Sequence, residues 1–439
     1  MTTNVLEKKE IELLRFITAG SVDDGKSTLI GRLLFDSNSL LKDQVSAITS
    51  HVNGELNFAN LTDGLRAERE QGITIDVAYR YFSTAKRRFI VADTPGHVQY
   101  TRNMFTAASS TNLAVILVDV TNGITEQTRR HTYLSSLIGI QHIVVCFNKM
   151  DLVGYSEQKF VTLRDHFLKF ASSLNFNTVE FIPIAALHGD NLVRSSQHMA
   201  WFEGQPLLSY LESIDISAIS HGSARFPVQW VINVGKNDDF GRHFRGYAGQ
   251  IYSGEFNVGD KVTILPSGRK SKISNIHTFD GPLLSAQAPQ SVTLLLDDDI
   301  DVGRGDMIVN QNFELPQVSK SLTAVVCWMS DEPLGKGRTY SIKQSARDTR
   351  VKVEDIRAQI DINTLESKAV LADTLTLNDI GIVEFSAASS LVFDSYTDNR
   401  LTGSFIIIDE STNATAGAGL SLTAEEVDRF LTALNSGEL

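Results

Sequence analysis

The apolar run Leu13 to Ala19 leads without a break into Gly20-Ser21-Val22-Asp23-Asp24-Gly25-Lys26-Ser27, and from Lys26 through Thr28 onwards the residues take up helical spacing. Little else in the chain constrains its fold as strongly. The segment fits G-x-x-x-x-G-K-[ST]; with a strand before it and a helix after it, this pattern is a phosphate-binding loop of an α/β domain. Its glycines let successive backbone N–H groups curl around phosphate oxygens at a helix N-terminus, where the helix dipole also favours negative charge. Lys26 can neutralise β and γ phosphates, and the Ser27 hydroxyl can ligate Mg²⁺. A chance glycine turn would need neither flank.

A loop of this kind does not tell ATP from GTP, so the choice rests on the ends of later strands. Further apolar runs, Phe89 to Ala92, Leu113 to Val120, Ile143 to Phe147 and Val179 to Ile184, alternate with stretches of helical spacing up to about Leu211. Unbroken by polar alternation, they read as strands of a parallel sheet covered by helices on both faces. Asp93-Thr94-Pro95-Gly96 follows the first of them, where Asp93 can hold Mg²⁺ through water and the Gly96 N–H can sense a γ phosphate. Asn148-Lys149-Met150-Asp151 follows Ile143 to Phe147. There the Asp151 carboxylate can accept hydrogen bonds from guanine N1–H and the amino group, while Asn148 braces the loop and the Lys149 stem covers the ring. Adenine lacks that donor pair, and a wrong base leaves a buried carboxylate unpaired. Alone, Asn-Lys-x-Asp is an ordinary surface turn; third in this order, it reads as a guanine site.

With these segments on one chain, the sequence resembles the translational-type GTPases typified by elongation factor Tu. Arg66-Ala67-Glu68-Arg69-Glu70-Gln71-Gly72-Ile73-Thr74-Ile75 is similar to their first switch, and His97 stands where they carry a catalytic histidine. The resemblance implies that Thr74 completes the Mg²⁺ shell with Ser27 when a γ phosphate is present and that His97 orients the attacking water. Lys26, Thr74 and His97 are then the catalytic set, with Ser27, Thr74 and, through water, Asp93 around the metal. The fifth guanine segment, usually Ser-Ala-Leu or Ser-Ala-Lys, is here Ala185-Ala186-Leu187. The serine hydroxyl is missing, and the N–H of Ala186 is expected to reach the guanine oxygen.

Within that superfamily the pattern narrows. Asp23-Asp24 in the loop, Thr62-Asp63-Gly64-Leu65, Asp76-Val77-Ala78-Tyr79-Arg80-Tyr81-Phe82, Gln99-Tyr100-Thr101-Arg102-Asn103-Met104 and Gly303-Arg304-Gly305-Asp306 resemble the large-subunit family of bacterial GTP-dependent sulfate adenylyltransferases. The likeness continues through Ile406 to Gly419, with Val98 as a departure where this family more often has Glu. It implies a cytoplasmic GTPase that uses GTP/GDP and Mg²⁺ and is coupled to formation of adenylylsulfate and pyrophosphate from ATP and sulfate. Two rivals stay open: a translation factor delivering tRNA to ribosomes, and a regulatory GTPase without metabolic coupling.

At about 150 residues per domain, 439 residues suggest roughly three domains. After about His221 the texture changes to short runs rich in Val, Ile, Thr and aromatics, punctuated by turns such as Asn257-Val258-Gly259-Asp260 and Pro266-Ser267-Gly268. That spacing predicts small β-barrels. The expected architecture is an α/β P-loop GTPase domain with a mostly parallel sheet (1–219), followed by β-barrels over 220–315 and 316–439, with Gln311 to Ser319 as linker. Thr423 and Glu426 form a capping-box pattern ahead of a final helix.

What is missing sharpens the expectation. The pairs Gly235-Lys236 and Gly335-Lys336 lack a glycine five places before them, and no Ser-Gly-Gly-x-Asp loop of adenylylating pyrophosphatases occurs. No second site for ATP or sulfate is evident, so the resemblance implies a smaller partner subunit that binds both, in a heterodimer. The chain ends soon after the second barrel and is expected to lack the adenylylsulfate kinase fused to some relatives. With 40 Lys and Arg against 52 Asp and Glu, the net charge of −12 removes the broad electrostatic case for nucleic acid. Cys146 and Cys327 lie in apolar runs and read as buried thiols, and no run approaches the length of a membrane helix. Two lesser clusters read as ordinary surface: the acidic stretch Asp297-Asp298-Asp299 with Asp301, and His131 and His142 as surface or helix-end residues.

Overall fold

The parallel sheet expected from the apolar runs is present, and its register aligns the strand ends that matter. The computed structural model describes residues 12–37, 39–40, 58, 76–97, 101–108, 111–172, 174–216, 222–237, 243–360, 367–368 and 373–436. The first-switch segment Arg66 to Ile75, with Thr74, and the segment Val98 to Tyr100 lie outside these residues. Two units divide the chain, Met1–Ile216 and Ser217–Leu439.

In the first unit, β1 (Leu13–Ala19), β2 (Ala78–Ser83), β3 (Arg88–Asp93), β4 (Leu113–Asp119), β5 (His142–Asn148) and β6 (Thr178–Pro183) form one six-stranded sheet in the order β2-β3-β1-β4-β5-β6. All neighbours run parallel except β2 and β3. The edge strand β2 escapes the apolar-run reading because its residues alternate Tyr79, Tyr81 and Ser83 outwards with Phe82 buried. Burial of β4 at every position explains its unbroken apolar run. The helices are α1 (Lys26–Asp36), α2 (Thr101–Ala108), α3 (Glu126–Leu137), α4 (Glu157–Ala171) and α5 (Leu207–Ser213). Leu29, Ile30, Leu33 and Leu34 of α1, at helical spacing, bury against Leu14, Phe16 and Val91 of the sheet. In register, Thr18 stands beside Asp93, and Asp119 beside Asn148. The carboxyl ends of four adjacent strands therefore converge, which is where ligands bind in open parallel sheets.

The second unit is antiparallel. Strands Arg225–Pro227, Met307–Asn310, Lys261–Leu265, Arg269–Thr278, Ser291–Leu296, His243–Gln250 and Trp230–Asn237 lie side by side in that order as a half-barrel around Phe226, Tyr247, Phe256, Ile264 and Leu294. The short apolar run Phe226 to Val234 is not one strand but is broken at Val228-Gln229. There the chain changes partners, from Met307 beside Pro227 to Ala248 beside Trp230. The second sheet is a closed barrel. Thr339–Gln344, Ser404–Ile408, Thr415–Ser421, Gln317–Trp328, Ile380–Phe393 and Arg347–Ile360 pair in turn, and the last pairs again with the first. Its core includes Trp328, Phe385, Phe393 and Phe405. The expected linker is shorter than Gln311 to Ser319, because the barrel strand already begins at Gln317, paired with Phe393.

Arg225 and Asp394 tie the two sheets of this unit together in a buried pair, Nε to Oδ2 at 2.9 Å and Nη2 to Oδ1 at 2.8 Å. The capping box forms as its sequence requires. Thr423 Oγ1 accepts from the Glu426 N–H at 3.2 Å, and the Thr423 N–H donates to Glu426 Oε2 at 2.7 Å at the start of α6 (Ala424–Ser436). Cys146 and Cys327 are buried free thiols. Arg245 reaches Asp299 and Asp301 at 3.5 and 3.7 Å, so the acidic stretch is a charged surface loop. Among the described residues no helix is long and apolar enough to cross a membrane.

Candidate nucleotide site

The loop between β1 and α1 is tied down by its own side chains. Asp24, almost fully buried, accepts from the Ser21 N–H through Oδ2 at 2.5 Å. Burial raises its pKa, against the lowering effect of Lys26 and the Ser21 hydrogen bond. Gly25 takes φ 94°, and a Cβ there would stand 2.4 Å from Asn148 Nδ2, so both conformation and space demand glycine. Val22 and Asp23 are exposed at the crest, Asp23 with φ 66°, while Ser27 and Thr28 are half-buried at the start of α1.

Lys26 is buried, and its Nζ donates to the carbonyls of Gly20 at 3.0 Å and Ser21 at 2.7 Å. Burial lowers its pKa; the carboxylates of Asp93, Asp24 and Asp23 work in the other direction and help to keep the ammonium charged. Asp93, at the end of β3, is buried and accepts from Thr18 Oγ1 at 3.2 Å. Thr94 donates through Oγ1 to the Thr18 carbonyl at 2.7 Å, fixing the turn that carries Pro95 and Gly96 across the loop. A Cβ on Gly96 would stand 2.7 Å from Lys26 Nζ and 2.9 Å from the Gly20 carbonyl, so its backbone lies directly against the phosphate loop. His97, next in sequence, is exposed.

At the end of β5, Asn148 makes the bracing contacts expected of it: Nδ2 donates to the Asp24 carbonyl at 2.8 Å, and Oδ1 accepts from the Ala186 N–H at 2.9 Å. The second bond corrects one expectation, since the Ala186 N–H is committed to Asn148 rather than free for a guanine oxygen. Lys149 adopts φ 64°, and its Nζ pairs with Asp119 at 2.7 Å, anchoring the head of a side chain that stays 30% exposed. Burial of Asp119 opposes its ionisation, but hydrogen bonds from Lys149 and Thr121 outweigh it and hold the pKa below the usual value. Met150 is fully buried and serves the core. The half-buried Asp151 faces outward, with His188 Nε2 at 3.7 Å from its Oδ2. Ala185 and Ala186 are buried, and Leu187 is 50% exposed with its carbonyl held by Arg32 at 3.1 Å.

Sequence reasoning missed three participants. Asp119 ends a strand beside Asn148, a position that in open sheets is itself a signal. Thr125, the N-cap of α3, meets Ser21 hydroxyl to hydroxyl at 2.6 Å. His131 is neither surface nor helix-end: it is fully buried within α3 and accepts from the Gly20 N–H. The buried polar stripe Thr128, His131, Thr132 and Ser135, at helical spacing, was the available sign. His142 does begin β5 and meets Thr178 Oγ1 at 2.9 Å.

A hydroxyl from Ser27 and a carboxylate from Asp93 are hard oxygen donors, the kind Mg²⁺ takes when phosphate oxygens supply the rest of its shell. Among the described residues no group of three or more His, Cys, Asp or Glu could hold a metal alone.

The chain is similar to known proteins over most of its length. Residues 11–217 match the family described as the elongation factor Tu GTP binding domain, and 321–421 the GTP-eEF1A C-terminal domain-like family. Sulfate adenylyltransferase subunit 1 of Vibrio parahaemolyticus is 51% identical over 438 residues, 97% of this chain and 90% of that protein. Its counterpart in Francisella tularensis subsp. novicida is 49% identical over 420 residues, 94% of this chain and 87% of that protein. Among solved structures, Sup35 complexed with GDP is 20% identical with a TM-score of 0.43, covering 96% of this chain and 97% of that one, too loose a likeness to carry an argument. At half identity over almost the whole length, the chain belongs to the sulfate adenylyltransferase subunit 1 family and begins with an elongation factor Tu-type GTPase domain.

Proposed function

We propose that the chain is the GTP-hydrolysing subunit of a heteromeric sulfate adenylyltransferase, coupling GTP hydrolysis to formation of adenylylsulfate and pyrophosphate from ATP and sulfate. The observation that carries this is the convergence of the Gly20–Ser27 loop, Asp93 to Gly96 and Asn148 to Asp151 at adjacent strand ends, in a chain with full-length subunit 1 relatives. Whole-length identity to those relatives favours it over tRNA delivery.

In this reading the backbone of Gly20 to Ser27 cradles the phosphates. Lys26 turns its ammonium from the Gly20 and Ser21 carbonyls to the β and γ oxygens. Gly96 lies close enough to the loop to register the γ phosphate, and His97 orients the attacking water. Asp151 reads the guanine edge. Mg²⁺, when bound, neutralises charge developing between the β and γ phosphates, with Ser27, Thr74 and, through water, Asp93 as its protein contacts. The functional division into 1–219, 220–315 and 316–439 belongs to the same reading, as does a cytoplasmic location.

Adenylylsulfate is a high-energy anhydride, so its formation from ATP and sulfate lies towards reactants. GTP can drive it only if the switch states make different contacts with the protein that carries ATP and sulfate. That partner is a smaller ATP- and sulfate-binding subunit. The test is GTP turnover by the chain alone and with this subunit, ATP and sulfate. Turnover that rises only with all three supports the reading, and turnover indifferent to them overturns it.

A further inference from the structure

The buried face of α3 carries a histidine that the reaction above does not use. His131 is fully buried, and its Nδ1 lies 3.1 Å from the Gly20 N–H. A backbone N–H can only donate, so Nδ1 is the unprotonated nitrogen and the ring proton sits on Nε2. Burial, then the positive charges of Lys26 and Arg130, push the imidazole down to about 3, in keeping with that neutral form. Nε2 is buried without a hydrogen-bond partner among the described residues. An aliphatic side chain would fill this place without an orphaned donor, so the contact through Nδ1 is what the histidine offers. Meanwhile the Gly20 carbonyl accepts from Lys26 Nζ at 3.0 Å. Both polar atoms of Gly20 are thus held, one by α3 and one by the phosphate lysine, and Thr125 holds Ser21 from the same helix.

We infer that His131 is a positioning residue for nucleotide binding: it takes the Gly20 N–H out of the phosphate-binding set and fixes the peptide plane from which the later N–H groups of the loop are aimed. This rests on the reading that Gly20 to Ser27 holds the phosphates of GTP. Were the ring protonated at Nδ1, two donors would face each other and the loop would have to move.

The test compares three substitutions in the full chain. His131→Asn keeps an acceptor at the same branch point as Nδ1, His131→Gln shifts the amide to the place of Nε2, and His131→Leu removes it. Binding of a fluorescent GDP analogue is measured beside thermal melting, with KM and kcat for GTP. Gln and Leu are expected to weaken GDP binding about ten-fold or more and raise KM with kcat nearly unchanged, while Asn stays within about three-fold of the parent. Equal affinity in the Asn and Gln variants would overturn the inference, and that pair suffices if the Leu variant does not fold. Failure of the parent chain itself to bind GDP would instead overturn the GTP-site reading. In the parent, [¹⁵N]histidine spectra should show His131 as the Nε2–H tautomer, unchanged from pH 8 to pH 5; a ring that titrates in that range contradicts it.

Discussion

Asn148 bridges to Asp24: its Nδ2 donates to the Asp24 carbonyl at 2.8 Å, while its Oδ1 takes the N–H of Ala186. One side chain from the end of β5 therefore sets the spacing between the Gly20–Ser27 loop, proposed to hold phosphates, and the Ala185–Leu187 loop, proposed to lie beside the base. Asn148→Ala leaves a buried carbonyl and a buried N–H without partners, each costing about 1–3 kcal/mol. GDP affinity should fall at least ten-fold, with a lower melting temperature. An isothermal titration showing unchanged affinity would remove Asn148 from the site.

In the proposed site, base choice rests on the Asp151 carboxylate accepting from guanine N1–H and the amino group. Asp151→Asn replaces one acceptor oxygen with a donor, which suits a base carrying a carbonyl where guanine has its amine. The variant should lose guanine nucleotides by about 10² or more and gain xanthine nucleotides. Competition between GDP and XDP for the purified variant reads this directly, and retained GDP preference would contradict the assignment.

His97 is exposed and follows Gly96, whose backbone lies against Lys26 and the loop carbonyls. His97→Ala should slow single-turnover GTP hydrolysis by roughly 10² to 10⁴, as loss of a water-orienting group does, at nearly unchanged GDP affinity. A fall in affinity without a fall in rate would make His97 a binding residue instead.

Acid sensitivity has a source in the second unit, at the start of α6. Burial of Glu426 opposes its charge, but hydrogen bonds from Thr397, Thr423 and Ser395 outweigh burial and hold its pKa below the usual 4.5. A depressed carboxylate stabilises the fold fully above its unfolded pKa, and that stability is lost as pH falls through the folded one. Wild type should melt above Glu426→Gln at pH 7, and the gap should close as the pH drops below about 4.5. A gap that does not narrow as the pH falls would show that charge at Glu426 does not matter.

Much of this was legible in the chain. Leu13 to Ala19 forms β1 to the residue, and Lys26 opens α1, because an apolar run, a glycine turn and helical spacing all specify the same local structure. Strand β2 and the break at Val228-Gln229 were not legible, since partner choice in a sheet is a long-range property that a local run does not carry. His131 was misread for a related reason: its value lies in a hydrogen bond to Gly20, 111 residues away in sequence. Ala186 shows the limit of a resemblance, for the loop is in place but its N–H serves Asn148.

Under the proposed function GTP is coupled energetically to adenylylsulfate formation, and an uncoupled catalyst cannot move an equilibrium. The decisive measurement is the ratio of adenylylsulfate and pyrophosphate to ATP and sulfate reached by this chain with the proposed smaller subunit, with GTP and with a non-hydrolysable GTP analogue. A higher ratio is expected with GTP than with the analogue, maintained while GTP is consumed. The same ratio in both would contradict it.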